Sequence, residues 1–366
     1  MLQLERIKRL SEKLVEENVD AIILGPSGDW KYLCGLEMHP DERFKAIVVL
    51  KDGSYFVISP MIYFVEFENY FPKETEYVIW EDNEGWHKKI SKALKDKGLE
   101  NKKIAINDGC RAIDVIDIMN FYDNSFINGE HFMTNLRIIK DAEELSYMKK
   151  AASIADEAFE ETIKHIHSGM TEENIKDILV EQLFEKGGEK LSFTPIIASG
   201  PNSAMPHYSS YGRTIEDNDV IIMDFGCEYK GYCSDMSRTV FFGEPTDKMI
   251  EVWEICNASN LAGEEIGKVG IEMQEVDRAA RKVIEDAGYG KYFNNRTGHG
   301  IGVSVHEKPQ AKEGNITKLQ NGMCYSVEPG IYIPGEFGMR TENIMACIDG
   351  KSEPLNRARR DMIIIK

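Results

Sequence analysis

Two stretches of this chain each carry a pair of carboxylates at spacings that suit a β-hairpin. In VIIMDFGCEYKGYCSDMSRTV, Asp224 and Asp235 lie eleven residues apart, with Lys230 and Gly231 near their midpoint. In YSVEPGIYIPGEFGMRTENIMA, Glu328 and Glu342 lie fourteen apart about Gly335. Residues equidistant from a turn face each other, with Cβ atoms about 4.5–5.5 Å apart. Turn register decides the first pair. A turn centred between Tyr229 and Lys230 sets the aspartates directly opposite, and one centred on Lys230-Gly231 makes them diagonal neighbours on one face. A three-residue loop separates them unless a bulge restores the face. Four carboxylates gathered in this way repel one another unless a cation sits among them, so the spacing points to a metal site.

Between the hairpins lies TGHGIGVSVHEKP, where glycines on both sides of His299 let the backbone approach whatever the ring contacts. The segment GHGIG matches neither GxGxxG nor GxxxxGK[ST], so a phosphate loop is the weaker reading. His306 follows seven residues later, and His207 sits in the Pro/Ser/Asn-rich loop IIASGPNSAMPHYSS. Histidines in such loops are less often simple core filler. His165 and His167 in KHIHSG are also spaced for a metal, but they end a helical pattern and read as solvent-facing. Arg340, two residues before Glu342, shares its strand face and can orient a carboxylate. Four acids and an imidazole make an oxygen-rich donor set that favours Mn, Co, Fe or Zn over a soft thiolate metal. One divalent ion does not need four carboxylates. Two ions sharing them is the arrangement that activates water for hydrolysis.

The remaining sequence must position these groups. Its 366 residues suit two domains, and 42% hydrophobic with 29% charged residues describes an ordinary globular chain. A net charge of −18 argues against nucleic acid or an anionic membrane as the main partner. The seven scattered cysteines form no CxxC pair, which suggests a reducing compartment. No apolar run resembles a signal peptide or reaches the ~20 residues of a membrane span, so a cytoplasmic location is expected. The first third alternates helix and strand signals: a stripe of Ile7, Leu10 and Leu14, strands at 21–24, 46–50, 55–59 and 103–107, and a helix at 113–122. The pattern changes near Asn135 to long amphipathic helices, one starting at about Thr171. Hairpins then dominate from Ser192, interrupted by helices near 246–267 and 272–287. Two helix-rich stretches, each followed by an acid-bearing hairpin, hint at internal duplication.

With these residues in view, the chain resembles the dinuclear metallopeptidases of the pita-bread fold, which include prolidase, aminopeptidase P, methionine aminopeptidase and creatinase. The motifs that carry the resemblance are SFTPIIASGPNSAMPH, DFGCEYKGYCSDMSRT, GHGIGVSVHEKP, EPG and RTEN. It implies a creatinase-type α/β N-terminal domain, residues 1–134, followed by an α+β pita-bread catalytic domain, residues 135–366. It also implies two divalent ions, Mn first, with Co, Zn or Fe as alternatives. Asp224 would bind one ion alone, Asp235 and Glu342 would bridge, and His299 and Glu328 would complete the second. His207 and His306 would contact the substrate and the tetrahedral intermediate, Glu328 would handle the proton of the attacking hydroxide, and Arg340 would support the site.

An N-terminal domain of this kind points to the Xaa-Pro branch, since methionine aminopeptidase lacks it and creatinase lacks the metal ligands. In similar prolidases the residue after HExP is often an arginine suited to a dipeptide's carboxylate, whereas Gln310 stands here, with Lys308 or Lys312 as substitutes. The expectation therefore leans to a Xaa-Pro aminopeptidase, with a Xaa-Pro dipeptidase as the alternative and a catalytically silent binding protein as the remote one. Substrates would be peptides with proline second, and the resemblance implies a homodimer.

Overall fold

A computed structural model describes residues 1–121 and 125–366. The chain divides into two compact units, Met1–Arg137 and Ile138–Lys366. Asn135 lies in the last helix of the first unit, Glu130–Arg137.

The first unit is built on a six-stranded mixed sheet. Its strand order is Tyr77–Trp80, Tyr55–Pro60, Ala46–Leu50, Ala21–Leu24, Lys103–Ile106 and Ser125–Asn128. AIIL and AIVVL are buried along their whole length, as runs of β-branched residues in a covered sheet should be. Helix Leu4–Glu16 buries Ile7, Leu10 and Leu14, the expected stripe. The predicted helix at 113–122 forms as Ala112–Phe121, and Tyr122 lies outside the described residues.

The second unit opens with two capped helices. Asp141 and Glu144 form a capping box for Ala142–Thr162, and Thr171 caps Glu172–Glu185 with Asn174 in reciprocal place. These helices bury Ile154, Phe159, Ile175 and Leu179 against Met223, Phe225 and Val240 of a four-stranded sheet. A second helix pair, Asp247–Ile266 and Met273–Asp286, follows. Its apolar side chains pack on strands Cys324–Val327, Gly330–Ile333, Phe337–Arg340 and Asn343–Ile348. Each helix pair is thus followed by the acid-bearing hairpin it covers. Among the described residues, no helix is long and apolar enough to cross a membrane.

The first hairpin turns at Lys230 and Gly231, whose φ angles are 51° and 80°. Two positive values in a two-residue loop match the strand twist, and Asn-Gly is the best sequence for it. Lys230→Asn should therefore stabilise the fold by about 0.5–1 kcal/mol in chemical denaturation. A loss of more than about 0.5 kcal/mol would contradict this turn and the register it sets.

Candidate metal centre

The turn resolves the first acid pair. Strands Asp219–Phe225 and Met236–Phe242 pair with Asp224 opposite Ser237 and Phe225 opposite Met236. Asp235 is therefore offset from Asp224 by two residues, and both carboxylates stand on one face as diagonal neighbours. Along Asp219–Phe225, Ile221, Met223 and Phe225 join the core under the first helix pair. Val220, on the opposite face, packs with Ile331, Ile333 and Met339 of the second hairpin. Asp224 shares that second face, so a strand with no exposed side still delivers a carboxylate between the two hairpins.

The second hairpin keeps one register along its length but not one ladder. Gly330 pairs with Arg340 and Ile333 with Phe337 around the turn, and pairing resumes at Val327 with Asn343. Glu328 and Glu342 face each other in the gap. Their backbone N–H groups leave the hairpin: Glu328 donates to the Thr297 carbonyl at 2.7 Å, and Glu342 to the Ser237 carbonyl at 3.0 Å. These outward bonds tie both glutamates to the segments carrying His299 and Asp235.

His299 occupies the short strand Gly298–Gly300. A Cβ at Gly298 would lie 1.9 Å from the Ser326 carbonyl oxygen, and one at Gly300 2.1 Å from that of Lys308. Only glycine permits these approaches. The His299 backbone N–H donates to Ser326 Oγ at 3.0 Å, and Nδ1 lies 3.0 Å from the Gly300 carbonyl. A carbonyl can only accept, so Nδ1 carries the proton and Nε2 presents its lone pair to the site. Nε2 lies 3.2 Å from Glu328 Oε1 and 3.5 Å from Asp235 Oδ2.

Asp235, His299 and Glu342 bring ligand atoms within 4.8 Å of one another, and all three are buried. Glu328 borders the group through His299. Asp224 borders it through Arg340, whose Nη2 donates to Asp224 Oδ2. Arg340 also donates from Nε to Ser237 Oγ at 2.8 Å and from Nη1 to Tyr332 Oη at 2.6 Å, while Ser237 Oγ donates to Glu342 Oε2 at 2.8 Å. Arg340 therefore orients two acids, one directly and one through a serine.

One oxygen on each of three acids has no partner. Asp224 Oδ1, Asp235 Oδ1 and Glu342 Oε1 are buried without a hydrogen bond. An unpaired buried carboxylate oxygen is costly, and three together require a cation or protons. Burial, then the charges of Glu342, Asp224 and Glu328, push the Asp235 carboxyl well above the usual carboxylate range. Glu342 is raised well above it by burial and by Glu328 and Asp224, and Asp224 is raised by burial against the pull of Arg340. Burial acts upward on Glu328 too, but the adjoining His299 ring and the guanidinium charges of Arg340 and Arg296 hold it below its ordinary value. Hard oxygen donors with one imidazole suit divalent Mn, Co, Fe or Zn, so the residues present fit the metal that their spacing demands.

His306 and His207 lie at the open side. The His306 ring meets His299 edge-on, with centroids 4.4 Å apart. Its outer edge reaches solvent, but desolvation of its inner face, then His299 and Arg296, push its pKa down to about 4. His207 is exposed and close enough to His306 to act on its titration. His165 and His167 are exposed and stand apart from the site. Several supporting groups carry no signature in the sequence. Asn260, on a covering helix, donates to the carbonyls of Val327 at 2.7 Å and Thr341 at 3.2 Å, just ahead of each glutamate. Arg238 donates to the Glu342 carbonyl at 2.7 Å. Arg296, three residues before His299, bears on both His306 and Glu328. Only its nearness to GHG could have singled it out.

Two family profiles cover most of the chain. Residues 6–139 match the creatinase/prolidase N-terminal domain, and residues 146–349 match metallopeptidase family M24. The chain belongs to metallopeptidase family M24. Its architecture is a creatinase-type α/β domain followed by the α+β pita-bread domain of that family. A Xaa-Pro dipeptidase from Lactobacillus delbrueckii subsp. lactis is 32% identical over 363 residues, 98% of each chain. The crystal structure of recombinant prolidase from Thermococcus sibiricus superposes with a TM-score of 0.94 at 33% identity, covering 100% of both chains. An X-Pro aminopeptidase from Thermotoga maritima MSB8 gives 0.86 at 30%, again over 100% of both.

The crowded carboxylates yield a stability prediction for this M24 chain. Carboxyls raised in the folded state make the metal-free fold bind more protons than the unfolded chain, so its stability falls as pH rises above the ordinary carboxylate range of about 4. Asp235→Asn should stabilise the metal-free protein by about 1–3 kcal/mol at neutral pH in chemical denaturation. The gain should shrink as pH is lowered towards about 4, where the wild-type acids take up protons. A variant less stable than the metal-free wild type at neutral pH would contradict the crowding.

Proposed function

We propose that this chain is a metal-dependent Xaa-Pro peptidase, and specifically a Xaa-Pro dipeptidase. The observation that carries the reading is the group of buried, unpartnered carboxylate oxygens gathered beside the lone pair of His299. Asp224, Asp235, His299, Glu328 and Glu342 would hold two divalent ions, which when bound supply Lewis acidity to the scissile carbonyl and lower the pKa of water. Manganese as the native ion, a homodimeric assembly, a cytoplasmic location and a boundary between domains 1–134 and 135–366 belong to the same proposal and rest on the resemblance of the motifs.

The protein's own groups divide the remaining work. Glu328 is the acid held below its ordinary pKa and, with 17% of its side chain exposed, sits where water arrives. It takes the proton of the attacking water and returns it to the proline nitrogen, which must be protonated to leave. His306, neutral at physiological pH, donates a ring N–H to the carbonyl oxygen as it gains charge. His207 lies on the same side and positions the substrate backbone. Arg340 keeps Asp224 and, through Ser237, Glu342 in their ionised orientation.

Substrate length turns on Arg296. No hydrogen bond or ion pair engages its guanidinium among the described residues, yet it acts on both His306 and Glu328. A free guanidinium beside the scissile bond suits the terminal carboxylate of a dipeptide. The dipeptidase names of the curated relatives support the same choice over the aminopeptidase expected from Gln310. The aminopeptidase is the second reading, favoured by one observation: Gln310 pairs directly with His299, placing a neutral amide on the same face.

Rates on Xaa-Pro and Xaa-Pro-Yaa discriminate the two. The wild type should prefer the dipeptide, and Arg296→Met should raise the dipeptide KM at least about tenfold, the value of about 1.4 kcal/mol of binding, while sparing the tripeptide. A wild-type preference for the tripeptide would favour the aminopeptidase.

A further inference from the structure

We propose that Glu172 is a positioning residue for His207, fixing the irregular segment 199–213 that carries the imidazole to the site. The inference rests on the reading of His207 as a substrate contact.

Glu172 is completely buried and is the first residue of helix Glu172–Glu185, where the helix dipole favours a negative charge. Its carboxylate accepts five hydrogen bonds. Oε1 receives the Ser199 backbone N–H at 2.7 Å, Ser199 Oγ at 2.8 Å and Asn202 Nδ2 at 3.0 Å. Oε2 receives Tyr208 Oη at 2.8 Å and the Arg213 backbone N–H at 3.3 Å. Every donor comes from one stretch of chain, and His207 lies between the donors Asn202 and Tyr208. Asn202 also donates to Tyr208 Oη at 2.9 Å, closing the loop across the histidine.

The same loop is bolted to the metal centre on its other side. Ser203 Oγ accepts the Gly338 backbone N–H at 2.8 Å and donates to the Gly200 carbonyl at 2.6 Å. Gly338 belongs to strand Phe337–Arg340, whose last residue holds Asp224. Ser203 thus fixes where the loop meets the site, and Glu172 fixes the conformation in which it arrives. A carboxylate buried at a helix start is tolerated only when its oxygens are hydrogen-bonded, and every bond that satisfies Glu172 comes from this loop. The only imidazole on this loop is His207, which is exposed and acts on His306. Gln at position 172 would set an amide NH2 against these donors, relaxing the loop without altering any metal ligand.

A double-mutant cycle on Xaa-Pro hydrolysis reads the coupling. Glu172→Gln should lower kcat/KM about tenfold while calorimetric Mn2+ affinity stays within twofold of wild type. In a His207→Ala background the same substitution should cost less than twofold. Tyr208→Phe, which keeps the ring and removes one donor, should cost about threefold with the same coupling, and reads the proposal should Glu172→Gln fail to fold. A Glu172→Gln cost that persists in full without His207, or no cost from either substitution, overturns the positioning role. If His207→Ala alone leaves kcat/KM unchanged, the reading of His207 itself fails and this inference falls with it.

Discussion

Desolvation of the carboxylates between two hairpins is the constraint around which the second unit is organised. Water would satisfy each oxygen, but the apolar faces that bury the acids leave Asp224 Oδ1, Asp235 Oδ1 and Glu342 Oε1 unpartnered. Such an arrangement is unfavourable in the protein alone and favourable only with positive charge among the oxygens. Arg340 supplies one such charge, but it is committed to Asp224, Ser237 and Tyr332. The remaining oxygens are left for a metal.

Backbone geometry, more than side-chain packing, makes the gathering achievable. Alternate residues of an antiparallel pair aim their N–H groups outward, and Glu328 and Glu342, like Ile344 and Arg340, stand at outward positions. One outward N–H goes to Thr297 and the other to Ser237, so three separate chain segments converge. The glycines flanking His299 allow two close backbone approaches there, and Asn260 holds the carbonyls that precede both glutamates. The helices bury apolar faces as any helices would. Their specific contribution is the few buried polar groups that hold the gap open.

Much of this was legible in the residues. The midpoint at Gly335 gave the register of the second hairpin, because a period-two structure with a glycine-bearing turn has few alternatives. The first hairpin stayed open among three turns, and backbone twist chose the one with positive φ at Lys230 and Gly231. The ladder gap could not be read, because nothing local in EPG or RTEN says where an N–H will find its acceptor. Long-range supports were equally silent. Asn260, Arg238 and Glu172 are unremarkable helix and strand residues until the tertiary fold puts a carbonyl or a loop beside them. Gln310 drew attention by departing from a motif, whereas Arg296, whose guanidinium no hydrogen bond or ion pair engages among the described residues, became visible only in the tertiary structure.

The division between chemistry and selectivity follows from this layout. Residues facing inward between the hairpins set the charge and donor types, while the exposed His207 and His306, with Arg296 acting on His306, are the groups to which the proposed function gives the peptide. The central claim, that the buried oxygens exist to hold divalent ions, is tested most directly by calorimetric titration of the metal-free wild type and Asp235→Ala with Mn2+. Two saturable equivalents per wild-type chain are expected, with loss of tight binding at both sites in the variant. Absence of saturable binding in the wild type, or unchanged binding in Asp235→Ala, would contradict it.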